Sequence, residues 1–132
     1  MKGYIGNIEK LTLANSNFRT VLYTAKHCQL VLMTLPPGED IGQEVHKDND
    51  QFFRFEAGSG IVTIDGVPHA VSDGMAIIIP AGASHNVANT STTESLKMYT
   101  LYSPAHHIDA IVHRTKAEAV ADDEEFNGVT TE

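Results

Sequence analysis

The chain has 132 residues, with 9 Lys and Arg against 17 Asp and Glu, a net charge of −8, a hydrophobic share of 42% and one cysteine. That length suits one domain able to bury its own core, and no run approaches the ~20 apolar residues of a membrane-crossing helix. Six of the acidic residues fall in 118–132, which holds no Lys or Arg, and without them the charge is −2; such a body offers no basic stripe for phosphates, so neither nucleic acid nor a membrane is an expected partner.

The start, "MKGYIGNIEKLTLANSNF", has no continuous apolar run after its early lysine and does not read as a secretory signal, which leaves a cytoplasmic location as the expectation. Short runs rich in Val, Ile, Thr, Phe and Tyr follow: "FRTVLYT" (18–24), "CQLVLMTL" (28–35), "QFFRFEA" (51–57), "GIVTID" (60–65), "MAIIIP" (75–80) and "LKMYTLYS" (96–103). Cys28, alone and among apolar neighbours, reads as a small buried hydrophobe. Turn chemistry separates the runs: "PPG" at 36–38, "GSG" at 58–60, "DG" at 65–66, "SDG" at 72–74 and "PAG" at 80–82. The "DG" between "IVTI" and "VPHAV" is the strongest hairpin signal. Closely spaced strands without interleaved helices predict an all-β antiparallel sandwich or barrel. One helix is expected late, where Thr115 and Glu118 in "TKAEAVADDEEF" form a capping-box pattern, and "DDEE" reads as its solvated end or a tail.

Four donors stand out on this frame. Glu44 and His46 are two apart, so on a strand both side chains project to one face. A turn over "KDND" then makes Gln51 the opening of a returning strand, which predicts three donors converging across one hairpin. His85, in "PAGASHNVAN", starts another strand after a Pro and Gly turn. Imidazole nitrogens and carboxylate or amide oxygens are ordinary ligands of divalent transition metals. "DND" at 48–50 lacks the glycine and distal glutamate of a calcium loop. No nucleophile elbow, phosphate loop or Ser-His-Asp order is present.

The spacing of these residues resembles the cupins, small β-barrels of jelly-roll type. Their first motif, G(x)5HxH(x)3,4E(x)6G, is matched in spacing by Gly38, Glu44, His46, Gln51 and Gly58, with Glu in place of the first His and Gln in place of the usual Glu. Their second, G(x)5PxG(x)2H(x)3N, is matched in full by Gly74, Pro80, Gly82, His85 and Asn89. Residues 30–42 and the ending from Leu96 to Ala119 look like one bacterial subgroup of small single-domain cupins, so the resemblance spans most of the chain.

The resemblance implies one cupin domain over 1–132, with its motif core at 38–89, a segment 104–132 packed over the barrel or a partner, and an acidic tail at 122–132. It also implies one divalent transition metal, Mn, Fe, Ni or Zn, held by Glu44, His46, Gln51 and His85. Phosphomannose isomerases are similar in placing two His, one Glu and one Gln on zinc, but this chain is far shorter and shows no Lys and Arg cluster for a sugar phosphate. Because one barrel hosts many reactions, two readings are carried. In the first the protein is a metal-dependent enzyme on a small oxygen-rich metabolite, an isomerase, decarboxylase, lyase or dioxygenase, with Glu44 or water at the metal moving protons. In the second it is a non-catalytic module binding a metal or metabolite. His27, Arg54, Tyr99, Tyr102, His107 and His113 are expected around the pocket, with His106 in the same His-rich segment. A homodimer joined at sheet edges is expected. Asn89 reads as a hydrogen-bonding residue of a turn or rim.

Overall fold

The computed structural model describes all residues, Met1–Glu132. Its elements are α1 (Ile8–Ala14), β1 (Arg19–Thr24), β2 (Gln29–Leu35), β3 (Glu44–Val45), β4 (Asp50–Ala57), β5 (Ser59–Ile64), β6 (Val67–Ser72), β7 (Ala76–Ile79), β8 (Ser84–Asn89), β9 (Leu96–Ser103), β10 (Val112–His113) and α2 (Lys116–Ala121). Two antiparallel sheets face each other, one ordered β10-β1-β2-β9-β4-β7 and the other β3-β8-β5-β6. This is the expected all-β jelly-roll barrel with its short C-terminal helix. No helix is long and apolar enough to cross a membrane.

Alternation along each strand sorts the barrel into an apolar interior and a polar mouth. On β9 the buried positions are Leu96, Met98, Thr100 and Tyr102, and on β4 they include Phe55, Phe53 and Gln51. Register then aligns like with like: Leu35 pairs with Leu96 and Met33 with Met98, whereas Gln29 and Gln51 both pair with Tyr102. A buried polar row, Gln29–Tyr102–Gln51, therefore crosses the three central strands at one end. The apolar layers behind it, with Val62, Val71 and Val87 from the other sheet, form one core that anchors the polar row in place.

Turn chemistry fixes that register. Asp65 and Gly66 both have positive φ, +45° and +80°, the backbone of a two-residue hairpin whose twist suits its strands, and β5 pairs with β6 as the "DG" signal predicts. Gly58 is held by space as well as by its φ of +86°, since a Cβ there would stand 2.5 Å from the Ser95 carbonyl oxygen. Asn89 is buried and structural: its amide donates to the carbonyls of Leu35 (2.9 Å) and Glu94 (2.8 Å), and its oxygen accepts from Ser91 N–H.

Three expectations need correction. The segment 44–51 is not a hairpin: β3 pairs with β8 in one sheet, while β4 pairs with β7 and β9 in the other, so Glu44 and Gln51 belong to different sheets. The helix α1 adds to the expected elements; Asn7 caps it by accepting from Lys10 N–H, and it packs against β2, β4 and β9. The acidic run is not simply solvated. Asp122 accepts from His113, Glu124 takes hydrogen bonds on both oxygens, and Thr131 N–H donates to the Thr24 carbonyl (2.9 Å), so the terminal strap is tied to the barrel.

Candidate metal centre

Glu44 and His85 are directly opposed in the β3–β8 pair, which sets both side chains on the inner side of that sheet. His46, just past β3, is fixed by its carbonyl accepting from Gly82 N–H (2.8 Å), the glycine of the turn that launches β8. The Oε2 of Glu44 stands 3.1 Å from Nε2 of His46 and 3.9 Å from Nε2 of His85, and the ligand atoms of all three lie within 4.8 Å of one another. His85 faces the Ala83 carbonyl through Nδ1 (3.2 Å), so that nitrogen carries the proton and Nε2 presents a lone pair toward Glu44.

Gln51 enters from the opposite sheet. It is 2% exposed, and its Nε2 donates to Thr100 Oγ1 at 3.0 Å, which leaves Oε1 buried with no hydrogen-bond partner. A buried amide oxygen without a donor costs about 1–3 kcal/mol, so such an atom is expected to serve something. Two imidazole nitrogens, a carboxylate oxygen and an orphaned amide oxygen suit a borderline divalent metal. On that chemistry the residues present fit the metal that the resemblance implies.

Electrostatics keep Glu44 ionised and His85 neutral, the forms in which each binds a metal. Burial pushes the Glu44 carboxyl up, but the hydrogen bond from His46 and the fields of His46, Arg19 and His85 outweigh it and leave the carboxyl below its ordinary range. Burial pushes His85 down against the pull of the Ala83 carbonyl, which keeps its imidazole neutral.

The C-terminal segment closes over this group. Of its three histidines His106 comes nearest, with its ring centroid 4.3 Å from that of His46 and 5.4 Å from Tyr102. Burial, then the neighbouring His107 and His46, push His106 down to about 4. His107 lies between two partners: Nδ1 is 2.5 Å from Glu124 Oε1, so it carries the proton, and Nε2 accepts from the Tyr102 hydroxyl at 3.2 Å. Burial drives its pKa down while Glu124 opposes. His113 accepts from Arg19 Nη1 through Nδ1 (3.0 Å) and donates from Nε2 to Asp122 (2.9 Å). A pocket of about 260 Å³, lined by Arg19, Glu44, His106, His107 and Glu124 among others, opens between β1, the β3 edge and the strap that follows α2.

The other expected pocket residues lie elsewhere. His27 is exposed in the turn between β1 and β2, too far along the chain's outer bend to face the interior. Arg54 and Tyr99 pair on the outer face of the six-stranded sheet, where Arg54 lies 3.4 Å from Glu56 and Tyr99 packs near Phe52. Strand alternation decides this: once Gln51, Phe53 and Tyr102 face in, Arg54 and Tyr99 face out. Two contributors were missed. Arg19 opens β1 with its side chain buried, and Gln29 is fully buried with its oxygen accepting from the N–H groups of His106 (3.2 Å) and His107 (3.0 Å). A polar residue opening an otherwise apolar strand was the available signal in both cases.

The cupin-domain family model matches residues 31–102, more than half of the chain. The chain belongs to the cupin family. This cupin is 47% identical to the uncharacterised protein YrkC of Bacillus subtilis over 126 residues, 91% of this chain and 67% of that protein. A crystal structure from Bacillus halodurans shares 43% identity with a TM-score of 0.88, covering 92% of this cupin and 96% of that chain. The dimethylsulfoniopropionate lyase DddW of Ruegeria pomeroyi is 36% identical over 83 residues, 63% of this cupin and 52% of that enzyme.

Proposed function

We propose that this cupin holds one divalent transition metal through Glu44, His46, Gln51 and His85 and acts on a small oxygen-bearing metabolite by metal-assisted proton transfer. The observation that carries the reading is the convergence of Glu44 Oε2 on the Nε2 atoms of His46 and His85; the buried Gln51 oxygen of the other sheet, without a protein donor, supports it. A bound divalent cation would supply Lewis-acid polarisation of a substrate oxygen, which acidifies the neighbouring C–H bond.

The chain's own residues furnish the rest. Glu44 is ionised and His106 neutral near neutral pH, so each can accept a proton in the pocket they share. Tyr102 is buried beneath His106 and His107, and burial raises the pKa of its hydroxyl, so it stays a neutral donor to His107. Within the proton-transfer class the lyase branch is favoured, because the similar enzyme DddW is named as a lyase. The expectation of a homodimer joins the proposal; the exposed Val67, Met75 and Ile78 along the neighbouring β6 and β7 edges support it.

The test is metal analysis of protein purified without affinity metals, followed by C–H exchange into deuterated water for short acids, ketones and sulfonio compounds. Metal at one per chain with exchange on a subset supports the enzyme. Metal and tight binding without exchange or turnover means a binding module instead, and no metal in any preparation overturns the centre.

A further inference from the structure

Arg19 is the one buried cation beside the centre, and it has no anionic partner. It is 7% exposed, yet none of the ion pairs in the protein includes it. Arginine is almost never buried unless paired, because removing its charge from water costs several kcal/mol. Its sole side-chain hydrogen bond runs from Nη1 to Nδ1 of His113, a neutral acceptor, and Nε is buried without a partner. That leaves Nη2, which has no protein partner and is not sealed from solvent, as the charged N–H group open to an anion.

The nearby acids do not fill that role. Glu44 is turned to His46 and His85, both oxygens of Glu124 are taken by His107 and Ile108 N–H, and Asp122 is taken by His113. Asp123, also on the pocket wall, is exposed and points to no cation. Arg19 and Glu44 line the same pocket, where Phe18 and Ile41 add apolar surface and the volume is about 260 Å³.

We propose that Arg19 is the anchor for the substrate, a small monoanionic carboxylic acid whose carboxylate accepts from Nη2 while another of its oxygens faces the Glu44–His46–Gln51–His85 group. The substrate class rests on the metal reading only for that second contact. A carboxylate is favoured over a phosphate because Glu44, Asp122, Asp123 and Glu124 surround the pocket and repel a dianion more strongly than a monoanion. Residual apolar surface suits a short carbon chain, and a neutral amide of the same shape would leave Arg19 without its counter-charge.

The experiment uses metal-free protein, stripped with a chelator, so that it stands apart from the metal reading. The Arg19 Nε–H resonance and the binding isotherm are followed against acetate, propionate, lactate and glutarate, the amides propionamide and lactamide, and inorganic phosphate. At least one acid should shift the resonance, with neither amide nor phosphate doing so. Arg19→Gln should weaken that acid by about 10- to 100-fold, the loss of a charge-assisted contact. Arg19→Lys should recover only part of the affinity, and metal content should match wild type in both. Equal binding of acid and amide, no response to any acid, or unchanged affinity in Arg19→Gln would overturn the proposal. If Arg19→Gln does not fold, the acid-to-amide comparison on wild type and the Arg19→Lys isotherm decide. Carboxylate binding that survives in Glu44→Ala, with metal absent from all preparations, would leave the anchor standing and the metal centre refuted.

Discussion

Glu44 and His85 face each other across the β3–β8 pair with Oε2 and Nε2 3.9 Å apart, a gap too wide for a hydrogen bond and fitted to a cation between them. Replacing Glu44, His46 or His85 by Ala should lower metal affinity by more than the ~10- to 100-fold typical of losing a supporting hydrogen bond. Competitive chelator titration checks this. Affinities within threefold of wild type in all three would exclude these residues as ligands.

Gln51 gives a sharper contrast. In Gln51→Glu the buried amide becomes a carboxyl, which loses the donor to Thr100 and puts an acid where burial opposes its charge. The metal-free variant should therefore be less stable by about 1–3 kcal/mol. Added metal should reverse the order, because a second carboxylate binds a divalent cation more strongly; the rise in Tm on metal addition should exceed that of wild type. Calorimetry with and without metal reads both halves, and a smaller metal-induced rise in the variant would argue that Gln51 points elsewhere.

The barrel was legible because its signals are local. "DG" at 65–66 fixes a hairpin by backbone preference alone, and Gly82 and Pro80 place His85 at the head of a strand without help from distant residues. Spacing along the chain also singled out Glu44, His46 and His85, which the fold brings within 4.8 Å of one another. What spacing along the chain did not carry was which sheet each strand joins. Glu44 and Gln51 are seven residues apart yet lie in opposite sheets, because β3 finds β8 while β4 finds β9. Inner and outer faces suffered likewise: Arg54 and Tyr102 looked equivalent until register put one out and the other in. The acidic strap was hardest to read, since Glu124 gains its meaning only from His107 and Ile108, far from it in chemistry as well as in sequence.

That strap yields its own expectation. Glu124→Ala removes the acceptor of His107 Nδ1–H and of Ile108 N–H together, leaving two donors short of partners. A loss of about 2–4 kcal/mol from the closure of the strap is expected, at about 1–3 kcal/mol for each buried donor before solvent reaches them. Hydrogen exchange at Ile108 should accelerate, and limited proteolysis should begin within 122–132 while the barrel stays intact. Unchanged exchange at Ile108 would show that the strap is held by its other ties, such as Thr131 to Thr24.

Acid should weaken the metal-free protein before carboxylates titrate. His106, His85 and His107 all have pKa values below the ordinary 6.5, each chiefly through burial, and His106 is pushed down to about 4. A depressed pKa means that the unfolded chain takes up protons first. Stability is therefore full above pH 6.5 and falls as pH drops from there toward 4; below 4.5, Glu44 and Glu124, also depressed, extend the loss. Urea midpoints across pH 7.5 to 4, spanning that window, should trace this slope, and His106→Phe should flatten it, since Phe keeps a ring beside His46 without a proton to bind. A flat profile between pH 6.5 and 5 in wild type would mean that these imidazoles are not held neutral by the fold.

The outer edges make the last prediction. Ile78 is 68% exposed on β7, the end strand of its sheet, and Val67 and Met75 are exposed nearby at 55% and 43%. An edge strand with apolar side chains and open backbone groups is a template for pairing, and natural edges of this kind are either charged or covered. Here no charge guards β7, whose four residues are Ala76, Ile77, Ile78 and Ile79. A second copy meeting this edge would satisfy both needs at once by two-fold symmetry. Light scattering should give twice the chain mass for wild type and the single mass for Ile78→Lys, with metal content the same in both. A wild-type monomer would overturn the dimer, and a dimer untouched by Ile78→Lys would place the contact on another face, because a lysine at the centre of a paired edge cannot be buried without a partner charge.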